Sequence, residues 1–227
     1  MEDGWRVERD RDPAGELHRR SVDALRHCSG RVARVLEATG PALVLGSSQR
    51  QTDVNVDAAA TAGLEVVRRR SGGGAVVVGP GQVVWVDLLI PIGDPLWDDD
   101  VGRAAWWVGE AWAAALEAVD FGPQQVWKRA MRTSRWSRRV CFAGVGPGEV
   151  LVGGQKVVGV SQRRTRDATL FQTAALIKWD PVGIVDALQL GQSEAASALS
   201  DLAGVARGVG AERAGPLGDA FVGALTR

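Results

Sequence analysis

Lys156 is the residue whose type and position point most directly to chemistry. It follows a Gly153-Gly154 turn that joins two apolar runs, residues 149–152 and 156–160. Glycines supply the positive φ angles that a two-residue turn needs, so the pattern predicts a β-hairpin. A lysine after such a turn is usually a solvated charge. Because valines flank this one, its stem can lie against apolar surface and its ammonium can face a bound group.

A run of three glycines, residues 72–74, forms the second candidate site. It lies in the stretch RRRSGGGAVVVGPGQVVWVDLLI, residues 68–90, directly after three arginines and Ser71. Glycines let the backbone approach a ligand closely and can present N–H groups to an oxyanion or a phosphate. The plainer interpretation is an ordinary turn that binds nothing.

The two segments together resemble the superfamily of lipoate–protein ligases, octanoyltransferases and biotin ligases. In that family an Arg-Arg-x-Ser-Gly-Gly-Gly-Ala-Val turn and a Gly-x-Lys-x-x-Gly-x-x-Gln-Arg hairpin face each other across one acyl-binding site. The upstream PALVLGSSQR, residues 41–50, is similar to the family's first core strand and Gly-x-x-Gln loop. The resemblance covers residues 41–181. It implies an α/β (α+β) fold with mixed, largely antiparallel sheets, packed helices and a central acyl-binding cleft.

The resemblance also implies a function for each matching position. Lys156 would stabilise the charge that develops on an acyl carbonyl and its leaving group. The substrate would be bound by residues of both motifs: Arg69, Arg70, Ser71, Gly72, Gly73, Gly74, Gly159 and Gln162. The implied reaction attaches a lipoyl or octanoyl group to a lysine of a lipoyl carrier domain, of the 2-oxoacid dehydrogenase type or the glycine-cleavage H protein. No metal ligands are assigned.

How the acyl group is activated divides the family. Ligases use ATP with Mg to make an acyl-adenylate of lipoate, whereas transferases take an octanoyl chain from acyl carrier protein, in one branch through a cysteine. Cys141 precedes the hairpin at a position that resembles this cysteine, and nearby cations could lower its thiol pKa. The alternative is a buried, inert cysteine. We expect no tightly bound cofactor.

The length of the chain bears on the same choice. About forty-five residues follow Pro181, too few for the extra C-terminal domain that self-sufficient ligases usually carry. This favours a transferase, or a ligase module that needs an accessory subunit. The arginine- and glycine-rich run is more ligase-like, so both routes stay open.

Two departures from the family pattern concern histidine. Residues 77–79 and 171–173 occupy positions where the family often has histidines. The only histidines, His18 and His27, are near the N-terminus, so we expect none near the motifs as a general base. These departures motivate an alternative function, a non-catalytic acyl-binding or carrier-docking protein. A biotin–protein ligase is a weaker alternative.

The elements expected around the motifs mix strands and helices within one catalytic domain, residues 1–227. Strands are predicted at 41–46, 64–68, 75–78, 83–90 and 169–177, and a short strand at Cys141. Helices are predicted at 16–39 (interrupted near Gly30), at 53–62, from 101 to 119, and as short pieces in 182–227. Residues 1–13 are expected to be loosely docked.

Composition limits the possible partners and location. Lys+Arg and Asp+Glu both number 27 in the 227 residues, and this zero net charge argues against a dedicated nucleic-acid binder. Two cysteines imply no disulfide framework. No apolar segment resembles a signal peptide or a membrane span, so we expect a cytoplasmic protein without membrane contact.

One segment, residues 128–139, concentrates basic side chains. KRAMRTSRWSRR contains six of them: Lys128, Arg129, Arg132, Arg135, Arg138 and Arg139. It is either a solvated loop or a surface that receives phosphates or an acidic carrier, with nucleic acid a further possibility.

Overall fold

A seven-stranded sheet and a three-stranded sheet form the centre of the fold in the computed structural model, which describes residues 4–226. The strands are β1 (Arg6–Asp12), β2 (Val32–Ala38), β3 (Ala42–Leu45), β4 (Glu65–Arg68), β5 (Val76–Val78), β6 (Val83–Pro91), β7 (Gln124–Val126), β8 (Val150–Val152), β9 (Gln155–Arg164) and β10 (Ala168–Leu176). The α-helices are α1 (Ala14–Ala24), α2 (Val56–Thr61), α3 (Trp106–Ala118), α4 (Pro181–Asp186), α5 (Gln192–Leu202) and α6 (Ala211–Leu225).

Strand pairing is mixed and mainly antiparallel, which confirms the predicted fold class. The large sheet has the order β1-β2-β6-β10-β9-β8-β7, and only its β1–β2 pair is parallel. The small sheet has the order β4-β3-β5, with β3 parallel to β4 and antiparallel to β5. The consecutive strands β5 and β6 are joined by the Gly-Pro-Gly turn but belong to different sheets.

Helices cover both faces of the large sheet. On one face, α3 and α6 bury an apolar core in which the rings of Trp112 and Phe221 stack with centroids 3.9 Å apart. On the other face, α1 packs Leu17 against apolar side chains of both sheets, including Val44 and Trp85. The α4 and α5 helices pack against the small sheet. The small sheet and α1 therefore enclose a space against the large sheet. Among residues 4–226, no helix is long and apolar enough to cross a bilayer.

The N-terminal region corrects two predictions. Residues 1–3 lie outside the described residues, but Arg6–Asp12 form β1 rather than a loose segment. Its charged side chains are accommodated because β1 is an edge strand, where Glu8 and Asp10 pair with Arg34 at 3.1 and 2.5 Å.

The predicted helix over 16–39 is also only half right. Its first part is α1, but Val32–Ala38 form β2. β2 is paired on both sides and buried at nearly every position, so its apolar residues do not alternate. A continuous apolar run of this kind does not distinguish strand from helix by its spacing.

The predicted hairpin is confirmed. β8 and β9 are joined at Gly153 and Gly154, whose φ angles of +59° and +81° suit a two-residue turn. The short strand expected at Cys141 is instead a 3-10 turn, Cys141–Ala143. The strand that was predicted at 169–177 is β10, and the three C-terminal helices lie where helices were predicted.

Candidate active site

Arg69 organises the glycine-rich turn. Its guanidinium donates to the carbonyl oxygens of Gly72 at 2.7 Å, Gly74 at 2.9 Å and Val44 at 3.3 Å. The side chain is buried, and this burial lowers the pKa of Arg69, with the Cys141 thiol and the Glu149 carboxylate opposing the shift. The turn is therefore folded around a buried cation.

Two of the three glycines are required by close packing. A Cβ on Gly74 would lie 2.5 Å from the backbone nitrogen of Val140, and one on Gly73 would lie 2.7 Å from an Arg69 nitrogen. Gly73 also has a φ of +97°. Gly72 differs, because a Cβ there would meet nothing within 4 Å. Close packing therefore accounts for the absence of a side chain at Gly73 and Gly74, whereas Gly72 borders open space.

The glycine turn is joined directly to the segment that carries Cys141. The backbone nitrogen of Cys141 donates to the Ala75 carbonyl oxygen at 2.8 Å, and Ala75 forms a parallel bridge with Val140. The Cys141 side chain is partly exposed and lies beside the Arg69 guanidinium. The fold therefore places this thiol next to the turn.

Lys156 is almost fully buried, with its ammonium directed into the protein. Its Nζ lies 2.7 Å from Oε2 of Glu149 and donates to the carbonyl oxygens of Cys141 and Gly144, both at 3.0 Å. Lysine has three N–H donors, and all three have protein acceptors here. Lys156 therefore ties the hairpin to the turn that begins at Cys141.

A cavity of about 40 Å³ lies between the two sheets. By this measure one water needs about 10–15 Å³, so the cavity has room for about three water-sized groups. An eight-carbon chain would enter fully only if lining side chains moved. The lining residues come from both sheets, α1 and the Cys141 turn: His18, Val44, Arg69, Val76, Val78, Trp85, Cys141, Phe142, Gly159, Val160, Ser161, Gln172, Thr173 and Ala174.

His18 lies in this cavity, so the expectation that no histidine would be near the motifs is wrong. α1 places the ring against Trp85, with centroids 4.5 Å apart, and Nδ1 lies 2.9 Å from Nε2 of Gln172. Gln172 occupies a position where the family often has a histidine, and it also accepts a hydrogen bond from Ser71 Oγ at 2.7 Å. A buried chain of polar groups thus links α1 to the glycine turn.

Asp87 lies at the inner end of the same chain. It is fully buried, accepts from Trp85 Nε1 at 2.7 Å, and lies 3.4 Å from the Gln172 amide nitrogen. Burial raises its pKa to about 6, although hydrogen bonds and Arg34 act in the opposite direction. Burial likewise lowers the pKa of His18 to about 3, helped by the charge of Arg69. His18 is therefore a neutral imidazole at physiological pH.

Of the remaining predicted site residues, one lines the cavity and two do not. Gly159 lines the cavity, and Arg70 is exposed beside the glycine turn. Gln162 pairs in register with Phe171 and lies with it on the other face of the sheet. Its side-chain amide lies 3.2 Å from both the Val101 carbonyl oxygen and Arg164 Nε. The structure therefore does not bring Gln162 to the cavity.

Sequence reasoning missed three residues of the site: His18, Asp87 and Glu149. Glu149 was visible as an acidic residue at the start of an apolar strand, where an unpaired charge would be costly to bury. His18 and Asp87 carry no comparable local signal, because their contacts depend on how α1 and β6 pack in three dimensions.

The fold is that of solved lipoate protein ligases. A bi-partite lipoate protein ligase from Thermoplasma acidophilum, described with its E2 lipoyl domain, is 16% identical with a TM-score of 0.72, over 97% of this chain and 83% of that chain. Lipoate-protein ligase A bound with ATP is 16% identical with a TM-score of 0.62, over 96% and 94%. P. falciparum LipL1 in complex with lipoate is 14% identical with a TM-score of 0.64, over 97% and 60%.

The TM-scores show a shared fold, and the family assignment comes from the sequence itself. The family model described as "Lipoyl protein ligase A/B catalytic domain" matches residues 17–209. The chain belongs to this family, which confirms the resemblance seen in its motifs. No curated protein sequence is significantly similar to it.

Proposed function

We propose that the protein attaches a lipoyl or octanoyl group to a lysine of a lipoyl carrier domain. The observation that carries the proposal is that one cavity between the sheets is lined by Arg69, which holds the glycine turn, by Cys141 and by Gly159 of the hairpin. The carrier lysine would attack the acyl carbonyl, an amide bond would form, and the bond to the leaving group would break. The amine's proton would leave with the leaving group or solvent.

Charge on the acyl carbonyl would be stabilised from two sides. Gly72 borders open space and can present its backbone N–H, and Arg69 supplies a buried positive charge. Lys156 would contribute when an acyl oxygen replaces one of its three present acceptors. An ammonium freed in this way would interact far more strongly with the charge on the acyl oxygen than it would in water, because the site is shielded from solvent.

Two routes of activation remain within the proposal. The ligase route uses ATP and lipoate, and its support is that similar folds have been solved with each of these ligands. Among residues 4–226 no group of three or more His, Cys, Asp or Glu side chains is arranged to hold a metal, so Mg²⁺ would arrive with the nucleotide phosphates. The transferase route uses octanoyl–acyl carrier protein and an acyl-Cys141 thioester, supported by the partly exposed thiol beside Arg69.

The mass of the carrier distinguishes these routes. The protein is incubated with a lipoyl domain and either lipoate plus ATP or octanoyl–acyl carrier protein, and the intact carrier is weighed. A Cys141→Ser variant should keep the ATP-dependent reaction and lose the transferase reaction. An unmodified carrier with every donor, including biotin plus ATP, would contradict the proposal.

The basic segment 128–139 is the proposed docking surface for the carrier. Lys128, Arg135 and Arg139 pair with Glu110, Asp201 and Glu194 of this chain. Arg129 and Arg132 instead lie over the ring of Trp127, at 5.8 and 4.9 Å, beside the exposed Met131. These two arginines can therefore offer charge to an acidic carrier such as the lipoyl domain.

A non-catalytic acyl-binding or carrier-docking protein is the second candidate. The observation in its favour is that all three donors of the Lys156 ammonium are already used within the chain. This candidate predicts that an acyl ligand raises the melting temperature while the carrier mass stays unchanged. Transfer to the carrier above the rate without protein would exclude it.

A further inference from the structure

His18 carries a buried nitrogen that has no hydrogen-bond partner among residues 4–226. The side chain is only 7% exposed and lines the cavity, yet its Nε2 is unpaired, whereas Nδ1 meets Gln172. Buried polar atoms nearly always have a partner. The unpaired nitrogen therefore points to a group that a ligand would bring.

The neighbours of His18 determine which kind of group this is. The side-chain oxygen of Gln172, Oε1, accepts a hydrogen bond from Ser71. Its side-chain nitrogen, Nε2, faces both the Asp87 carboxylate and Nδ1 of His18. An ionised carboxylate can only accept, which fixes this orientation of the amide. Nδ1 of the neutral imidazole must then accept a hydrogen bond from the Gln172 amide, so the single ring proton lies on Nε2. His18 therefore holds a hydrogen-bond donor without an acceptor.

His18 lines the same cavity as Arg69 and Cys141, but it packs against a different part of the large sheet. His18 contacts Trp85 and Gln172, on β6 and β10, whereas Cys141 is bonded to Ala75 and lies beside Arg69. An acyl group whose carbonyl lies beside Cys141 and Arg69 would therefore reach His18 with atoms further along its chain. The cavity accepts about three water-sized groups, which corresponds to the end of a chain rather than its whole length.

We propose that the Nε2–H of His18 donates a hydrogen bond to an acceptor atom in the tail of the acyl substrate. This inference rests on the function proposed above and names its substrate class: tails that carry oxygen or sulfur, in preference to saturated tails such as octanoyl. A saturated tail would leave the buried donor unpaired, which lowers affinity by roughly 5- to 150-fold. Sulfur is a weak acceptor, so a ketone should bind more tightly than a dithiolane.

Calorimetric binding of free acids tests the selection without requiring turnover. On the wild-type protein, 7-oxooctanoate should bind at least about fivefold more tightly than octanoate, with lipoate between them. His18→Phe keeps a ring against Trp85 but removes the donor, so octanoate should become the preferred ligand. His27→Gln alters the other, exposed histidine and should keep the wild-type order.

Equal binding of octanoate and 7-oxooctanoate would overturn the inference, as would an unchanged order in His18→Phe or no binding of any acid. The carrier-mass assay tests the proposed function separately. Selective binding with an unmodified carrier would contradict the reaction and leave the selection standing. An acylated carrier together with equal binding of the acids would support the reaction and contradict the selection by His18.

Nitrogen-15 NMR of the wild-type protein tests the tautomer directly and does not depend on a His18 variant that folds. Only two histidines contribute signals, and His27→Gln assigns them. His18 should show a protonated Nε2 and a bare Nδ1, and its Nε2–H proton should move downfield with 7-oxooctanoate but not with octanoate. A proton on Nδ1 would overturn the inference.

Discussion

Lys156 and Glu149 form an ion pair in which Nζ and Oε2 are 2.7 Å apart and the two side chains are 1% and 5% exposed. The Glu149 carboxylate also accepts from the backbone nitrogens of Gly146 at 2.7 Å and Val160 at 3.1 Å. Every charged atom of the pair is thus satisfied by the hairpin and the loop before it. The lysine at the centre of the chemical hypothesis is also a structural residue, and experiments must separate the two functions.

Breaking this pair should destabilise the protein. Lys156→Met leaves Glu149 buried without its cation, so the free energy of unfolding in urea should fall by about 3–5 kcal/mol. The double variant Lys156→Met with Glu149→Gln removes both charges and keeps an amide oxygen for a backbone N–H, so it should regain most of that loss. Carrier acylation should stay absent in both. A stable single variant would contradict the burial of the pair, and an active double variant would remove Lys156 from the mechanism.

The glycines of the turn should differ in their tolerance of a methyl group. Gly74→Ala places a Cβ 2.5 Å from the Val140 backbone nitrogen. We expect the free energy of unfolding to fall by about 1–3 kcal/mol. Gly72→Ala is the matched control, because its Cβ meets nothing within 4 Å. Its stability should be close to wild type, while acyl-ligand affinity falls if the ligand approaches this backbone. Equal losses of stability at both positions would contradict the described packing.

Stability should depend on pH through His18. Its pKa is lowered from 6.5 to about 3, mainly by burial. Below pH 6.5 the unfolded chain takes up a proton that the folded protein does not, so the free energy of unfolding falls as the pH falls towards 3, by at most about 4–5 kcal/mol. His18→Phe should flatten this acid limb, whereas His27→Gln should not. An unchanged acid limb in His18→Phe would show that the imidazole titrates normally.

Asp87 should act in the opposite direction within part of that range. Its pKa is raised from 3.8 to about 6, mainly by burial. Between these values the folded protein holds a proton that the unfolded chain lacks, so this residue adds stability as the pH falls from 6 to 4. Asp87→Asn should therefore make the loss of stability on acidification steeper than in wild type. A shallower loss of stability in Asp87→Asn would show that the pKa of Asp87 is lowered, not raised, in the folded protein.

Carrier docking should depend on the two arginines over Trp127. Reversing both charges, with Arg129→Glu and Arg132→Glu, should lower kcat/KM for an acidic lipoyl domain by at least about tenfold at low salt. Free-acid binding and urea unfolding should stay close to wild type, because both side chains are exposed. Arg166→Glu, at another exposed arginine, provides the matched control. Equal effects at both places would show a general charge effect rather than a docking surface.

Local features of the fold were predictable because their causes are local. The Gly153-Gly154 turn needs positive φ angles at both residues, and the sequence shows this directly. Lys156 was identified by its place after the turn and Arg69 by the family resemblance, although the burial of neither side chain was predicted. β2 was mistaken for helix because it is buried on both faces, so no alternation marked it as a strand.

The polar half of the site was not predictable because its contacts join distant parts of the chain. His18 and Gln172 are 154 residues apart, and Ser71 and Gln172 are 101 apart. Neither periodicity nor motif spacing indicates that α1 faces β10. His18 was therefore dismissed by its place in the sequence, although the packing of α1 between the two sheets places it in the cavity.

The most direct test of the proposed reaction is the intact mass of a lipoyl domain after incubation with the wild-type protein, lipoate, ATP and Mg²⁺, with octanoyl–acyl carrier protein as the parallel donor. We predict that one lysine of the carrier gains the mass of a single lipoyl or octanoyl group, and that the double variant of Lys156 and Glu149 produces none. A carrier whose mass stays unchanged with both donors would contradict the proposed reaction.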